Sequence, residues 1–156
     1  MIKLSGEVFA LPVENMESVV DIKERDVQFK DYDGFFRFND RAVRLMHLSR
    51  ILNGSPSRAA PRGNSHHVGD LTAVVMKLSD GERVGLIVDD IENYQKIVVR
   101  SFKGPYLKSL ERVGFGGFTL LGDGRVVLIL DIETLAQEKR EARANERQAK
   151  RHIGRG

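Results

Sequence analysis

An all-β fold, assembled from two small halves of short strands, is what this sequence predicts. Three observations carry that expectation. Short apolar runs recur at turn-marked intervals through the first 52 residues and again from residue 71, the pattern of small barrels or sandwiches. A Gly-, Pro- and Ser-rich stretch without periodicity separates them at 53–70. The strongest hairpin signal spans Phe115 to Asp131, where apolar Phe118–Leu121 meets Gly122-Asp123-Gly124 and then Arg125–Asp131. Asp and Gly accept the positive φ that a tight turn needs. Val126 to Leu130 are apolar without alternation, and three of the five are β-branched, so this arm is expected to be covered on both faces.

The remaining elements follow in order. Glu7–Pro12 reads as a strand stopped by a proline that cannot donate to a ladder. Val13 to Ser18 fits one helical turn with Asn15 as cap, and Val19–Ile22 a second strand. Val27–Lys30 alternates, Asp33-Gly34 is expected to turn, and Phe35–Phe38 returns. Asn39-Asp40 makes another turn before a strand from Arg41 to His47. Leu48–Leu52 has helical spacing and ends at Asn53-Gly54, a C-cap pattern. Leu71–Leu78, a turn at Ser79–Glu82 and Arg83–Val88 open the second half. Asp89–Tyr94 is a connection, Gln95–Arg100 a strand, and Lys103–Val113 a loop or short helix. After Asp131 a helix begins at Ile132. Its tail from 137 to 156 has little apolar surface and stacks Arg143, Arg147 and Arg151 at i, i+4, so fraying is expected.

At 156 residues the chain suits one domain or two very small barrels sharing a core. The formal charge of +3 is local: seven bases against three acids after Gln137 give the tail about +4 and leave the body near neutral. That weakens any reading of the body as a nucleic-acid-binding fold. No apolar run approaches membrane-spanning length and the first residues have no signal-peptide core, so a cytoplasmic location is expected. The absence of cysteine removes disulfides, thiolate metal sites and cysteine nucleophiles.

Candidate chemistry is sparse. His66-His67 sits in the aperiodic stretch with only Asp70 nearby, and adjacent histidines rarely reach one metal; a solvated loop explains them better. His47 has no companion Ser or Cys motif and reads as packed or surface. Asp89-Asp90 resembles a carboxylate pair, but a strand end entering a turn accounts for it. Gly114-Phe115-Gly116-Gly117 precedes a strand, not the helix a phosphate cradle requires, so these glycines are expected to permit a bulge or a close backbone approach. No catalytic activity, metal or cofactor is expected. The rival class is an OB- or SH3-like barrel binding nucleic acid through Phe29, Phe35, Phe36 and Phe38. Asp31, Asp33 and Asp40 surround these rings and favour a core role. That rival predicts salt-sensitive strand binding that is lost when the tail after Leu135 is removed.

Two long stretches resemble a known family. Val88-Asp89-Asp90-Ile91 through Gln95-Lys96-Ile97-Val98-Val99-Arg100, and Gly114-Phe115-Gly116-Gly117-Phe118 through Gly122-Asp123-Gly124 to Leu130-Asp131, are similar to the CheW-like domain. Glu7–Pro12 resembles its early strand, and Leu45–Leu52 its leucine-rich segment, so the similarity runs from about residue 4 to 135. The resemblance implies two small five-stranded swapped barrels, SH3/OB-like, with short helices and a C-terminal helical tail. The first barrel would take roughly 1–52 and the second roughly 71–131, with strand exchange across the 53–70 linker, all within a CheW-like domain of 1–136. It implies a non-catalytic adaptor role in bacterial chemotaxis, a two-component system. The partners implied are a CheA-type histidine kinase, CheW-like domains and the chemoreceptor cytoplasmic tip, with no nucleic acid and with membrane association only through receptors. Such domains occur as the free-standing adaptor and as the kinase's C-terminal regulatory domain. Ile91, Tyr94, Ile97, Val99 and Phe102 are the partner-contact candidates, with Leu45 and Phe115 near the groove between barrels. Asn39-Asp40 and Arg44 replace the family's usual Arg-Gly and proline, and Phe115 and Phe118 replace smaller residues.

Overall fold

The computed structural model describes residues 1–30, 33–48, 70–104 and 108–153. The capped helical segment ending at Asn53-Gly54, the Gly/Pro/Ser-rich stretch and His66-His67 lie outside the described residues. Strands β1 (Ile2–Leu4) and β2 (Glu7–Ala10) open the chain. Residues Val13 to Asn15 do not form a helical turn. Met16 N–H donates to the Val13 carbonyl at 3.1 Å, a β-turn, and β3 (Met16–Lys23) begins at once. Pairing overrides local propensity here: Met16 and Ser18 lie opposite Met76 and Val75 across a bulge, and Lys77 N–H donates to the Asn15 carbonyl.

A single 3-10 turn (Glu24–Asp26) leads to β4 (Gln28–Lys30), β5 (Asp33–Phe38) and β6 (Arg41–His47). Asp33-Gly34, expected as a turn, are paired residues of β5, opposite Lys30 and Phe29. Glycine serves packing there, since a Cβ at Gly34 would stand 3.1 Å from Val27 Cγ1. Asn39 and Asp40 do turn the chain, with φ of 48° and 60°, the mirror-image geometry that matches strand twist. Then come β7 (Asp70–Lys77), β8 (Arg83–Val88), β9 (Asp90–Ile91), α1 (Lys108–Arg112), β10 (Phe115–Leu120), β11 (Val126–Leu130) and α2 (Ile132–Ile153).

The strands form a five-stranded sheet ordered β10-β11-β2-β1-β9 and a six-stranded one ordered β3-β7-β8-β6-β5-β4. Neither sheet is built from one half of the chain. The first two strands pair with the last two, while β7 and β8 lie among β3 to β6. The sheets echo one another: the second arm of an antiparallel hairpin, β11 or β8, runs parallel to an earlier strand, β2 or β6.

Strand parity assigns the cores. On β7 and β8, Val74, Met76, Val84, Leu86 and Val88 face a core shared with Ile2, Leu4, Phe115 and Leu130 of the other sheet. Ala73 and Val75 face the opposite way, toward Ile22, Val27, Phe36, Val43 and Leu45. On β11 Leu130 enters the shared core, whereas Val127 and Ile129 pack with Ala10 on the other face. The unalternating arm is covered on both sides, as its composition predicts. Phe36 is buried, as the core reading of that aromatic cluster expects.

Helix α2 starts directly from β11. Asp131 caps it, accepting from Thr134 N–H at 3.2 Å and from Thr134 Oγ1 at 2.8 Å. Ile132, Leu135 and Ala136 anchor it in the shared core. The helix continues to Ile153, past the point where charge repulsion led to expected fraying.

Acid should loosen this fold along a definite window. Glu17 is held below its ordinary 4.5 by its hydrogen bond from Arg83 (Nε to Oε2, 2.5 Å), helped by the charge of Lys77. Asp80 lies below 3.8, first because Glu82 N–H donates to it and then because Arg140 does. A depressed carboxylate contributes stability that is present above its unfolded value and lost as pH falls through the folded one. Stability is expected to be level above about pH 5 and to fall below 4.5. Glu17→Gln should flatten part of that slope in urea titrations across pH, and about 0.5 M salt should shrink it, since exposed pairs are screened. An unchanged acid limb in Glu17→Gln would refute the assignment.

Candidate docking surface

The chain between β9 and β10 forms a strap, residues 92–100, with few backbone ties. Glu92 N–H donates to the Met1 carbonyl at one end. At the other, Arg100 exchanges both backbone bonds with Phe118, at 2.8 and 2.9 Å. Between them the expected strand Gln95–Arg100 is absent as a ladder; among the described residues only the Arg100–Phe118 bridge pairs it. Its β-branched run has the composition of a strand but no neighbour in register.

Gly117 explains why the strap touches β10 at that one place. Its φ is +152°, and a Cβ there would stand 2.6 Å from the Arg100 carbonyl oxygen. Pairing with β11 shifts register between Phe115 and Gly117, so Gly116 is a bulge residue. The glycine run therefore does what its sequence context predicts, a bulge and a close backbone approach. The Asp123 carboxylate closes the neighbouring Gly122–Gly124 turn, accepting from Arg125 N–H and Nε, and the first of these bonds leads in holding it below 3.8.

The candidate contact residues separate into two groups. Tyr94 is 63% exposed and Val99 59%. Ile91 and Ile97 are half-buried, Ile91 against the shared core and Ile97 against the Ala10–Val127–Ile129 cluster. Phe102, Phe115 and Leu45 are buried, at 8%, 8% and 1% exposure, too little to offer a partner much area. Phe102 stacks on Phe118 at 5.9 Å and Phe115 on Phe9 at 6.2 Å, so the enlarged aromatics fill the core. The Leu45 carbonyl accepts from Lys139 Nζ at 3.2 Å.

Sequence reasoning missed Val98, 71% exposed, and the cross-strand pair Leu120 and Val126, 54% and 62% exposed. Alternation hides one of two adjacent valines only in a laddered strand, and the strap is not one. Val98 and Leu120 line one open cleft of about 460 Å³. On the other side of the strap Val99 lines a mainly apolar groove of about 340 Å³ between the two sheets, with Met76, Leu78, Leu130, Ile132 and Glu133.

The carboxylates of Asp89 and Asp90 serve the backbone: Asp89 accepts from Ser5 N–H at 2.5 Å and Asp90 from Ile91 N–H at 2.8 Å. Among the described residues no three acidic, His or Cys side chains gather as a metal site, and no helix is long and apolar enough to cross a membrane. Arg44 lies 5.9 Å over the Phe35 ring and 3.5 Å from Glu82.

Comparison with known proteins places this geometry. Residues 1–140 match the family model of the CheW-like domain. The chain is 27% identical to the sensor histidine kinase CheAY of Helicobacter pylori, over 93% of this chain and 17% of that protein. It is also 27% identical to the chemotaxis protein CheA of Listeria monocytogenes, over 86% of this chain and 20% of that one. It thus spans about a fifth of the length of these relatives. A crystal structure of the scaffolding protein TtCheW from Thermoanaerobacter tengcongensis shares the fold, with a TM-score of 0.62 at 17% identity over 86% of this chain and 88% of that one. With nine-tenths of its length matched by one family model, the chain belongs to the CheW-like domain family.

Proposed function

We propose that this chain is a non-catalytic docking domain of bacterial chemotaxis signalling, an adaptor carrying conformational state between a chemoreceptor's cytoplasmic tip and a CheA-type histidine kinase in the cytoplasm. One observation carries the reading: a strap almost free of backbone pairing exposes Tyr94, Val98 and Val99, and Val99 lines an apolar groove. Exposed apolar side chains grouped beside a groove mark a surface that a partner covers. The proposed contact set is Tyr94 and Val99 with Val98, flanked by the half-buried Ile91 and Ile97. A second reading, the regulatory domain of a CheA-type kinase, is favoured by the kinase relatives and by the fifth of their length that this chain spans.

Calorimetric titration with a purified CheW-like domain, and separately with a soluble receptor cytoplasmic fragment, tests the proposal. Val99→Arg is expected to weaken the affected titration by about tenfold or more, since it sets a charge in an apolar contact, and Tyr94→Ala by a smaller factor. Both side chains are exposed, so folding should be preserved. Wild-type affinity in both variants for both partners would remove the strap from the docking face.

A further inference from the structure

Away from the apolar groove, the strap faces the β10–β11 hairpin across the open cleft of about 460 Å³. Lys96 and Arg100 of the strap and Arg125 of the hairpin line it, with Glu92 and Asp123 as its acids. Both acids are already matched. Glu92 lies 3.2 Å from Lys3 Nζ, and Asp123 Oδ2 accepts from Arg125 Nε at 2.7 Å. Lys96 and Arg100 make no ion pair among the described residues, so the cleft keeps two uncompensated cations. It also has an open backbone edge. Phe118 spends both of its backbone bonds on Arg100, and in an antiparallel strand the residue two places on points its N–H and C=O the same way. That residue is Leu120; Leu121 points inward and donates to the Arg125 carbonyl at 2.9 Å. Among the described residues nothing pairs with the outward N–H and C=O of Leu120, and Val98 across the cleft makes no backbone bond to it.

We propose that this cleft binds a short extended segment of a partner protein, one that carries carboxylates beside an apolar side chain and pairs with Leu120 as an added strand. Three features select that occupant. A free N–H and a free C=O on one residue are both answered by another peptide backbone, whereas a phosphate offers acceptors only. The unmatched Lys96 and Arg100 call for carboxylates, which form charge-assisted bonds with them. Val98 and Leu120, both exposed and both lining the cleft, give one apolar side chain of the segment a place to be covered. The volume falls among ligand clefts, roughly 300–1,000 Å³. Nothing here uses the Val99 groove, so the cleft and the docking reading are tested separately.

The probe is a synthetic hexapeptide alternating Glu and Val, with acetylated and amidated ends, titrated into the isotope-labelled full chain and followed by backbone amide resonances. Saturable shifts are expected at Val98 and Leu120, with a Kd below about 1 mM at low salt. Bound peptide should slow hydrogen exchange at the Leu120 amide by about fivefold. Replacing the peptide's Glu by Gln, or the protein's exposed pair by Lys96→Gln with Arg100→Gln, should each weaken binding by about fivefold, and near 0.5 M salt that difference should close. Val99→Arg should bind the peptide as wild type does. Absence of saturable shifts overturns the proposal, as does unaltered affinity in the Lys96→Gln, Arg100→Gln variant. Equal affinity for inorganic phosphate or for a single-stranded oligothymidylate would show a cation cluster that needs no backbone, and overturns it too. Binding lost in Val99→Arg would place the peptide in the apolar groove and remove the cleft from consideration.

Discussion

Gly114→Ala is expected to destabilise the domain by about 2–4 kcal/mol, the sum of a backbone and a packing cost. Gly114 has φ of +98°, a conformation that costs an L side chain roughly 1–2 kcal/mol. Its Cβ would also be driven into Leu135, which is fully buried at the root of α2. The Gly114 carbonyl cannot back away freely, because it accepts at 2.8 Å from the N–H of Asp131, the residue that caps the helix. A mutant cycle separates the two costs. Leu135→Ala alone should lose about 2–5 kcal/mol through its cavity. In that background Gly114→Ala should cost only the backbone part, about 1–2 kcal/mol, because the clashing atoms are gone. Urea midpoints with constant slopes measure all four corners. Equal costs in both backgrounds would show that sterics with Leu135 play no part.

Gly117→Val should be comparably damaging, at about 2–4 kcal/mol, and should act on the docking surface as well as on stability. Any Cβ at this position meets the Arg100 carbonyl oxygen, 2.6 Å from its ideal place, and that oxygen is the acceptor for Phe118 N–H. The strap relieves the clash only by giving up both bonds of its one bridge. Protection of the Arg100 and Phe118 amides from hydrogen exchange should then drop by at least about tenfold, while β6 to β8 keep theirs. Freed from β10, the strap no longer holds Tyr94 and Val99 in place, so partner affinity should fall with it. Retained protection at Arg100 and Phe118 would show that the strap is held by something other than this contact.

These two glycines mark the boundary of what the residues alone disclose. The sequence context of Gly114–Gly117, a strand following instead of a helix, was enough to reject a phosphate cradle and to expect a close approach. Which backbone approaches was not readable, because Arg100 and Gly117 meet only once β10 and the strap are both in place. The hairpin to Asp131, the turn at Asn39-Asp40 and the two-faced cover of Val127–Leu130 were legible, since local φ preferences and unbroken apolar runs set them, although Val126 at the start of that arm stays exposed. Gln95–Arg100, read as a strand, pairs only at Arg100 for the converse reason: a β-branched run becomes a strand only where a neighbouring edge lies in register, and among the described residues none does along the rest of it. Asp33-Gly34 failed as a turn because both residues pair with β4 and the glycine was needed for packing.

Burial decided the candidate site in the same way. Phe102, Phe115 and Leu45 had the composition of contact residues, and the shared and inner cores claimed them, as hydrophobic surface is taken first by whatever closes over it. Tyr94, Val98 and Val99 stay exposed because no element among the described residues covers them. By itself the sequence determined that this chain is a short-stranded β protein with its main hairpin at 115–131, because those signals act over a few residues. Only the tertiary structure decided that its first two strands join its last two, that a helix ties one sheet to the other, and which apolar side chains remain exposed. Those outcomes depend on contacts between residues far apart in the chain, and no local preference encodes them.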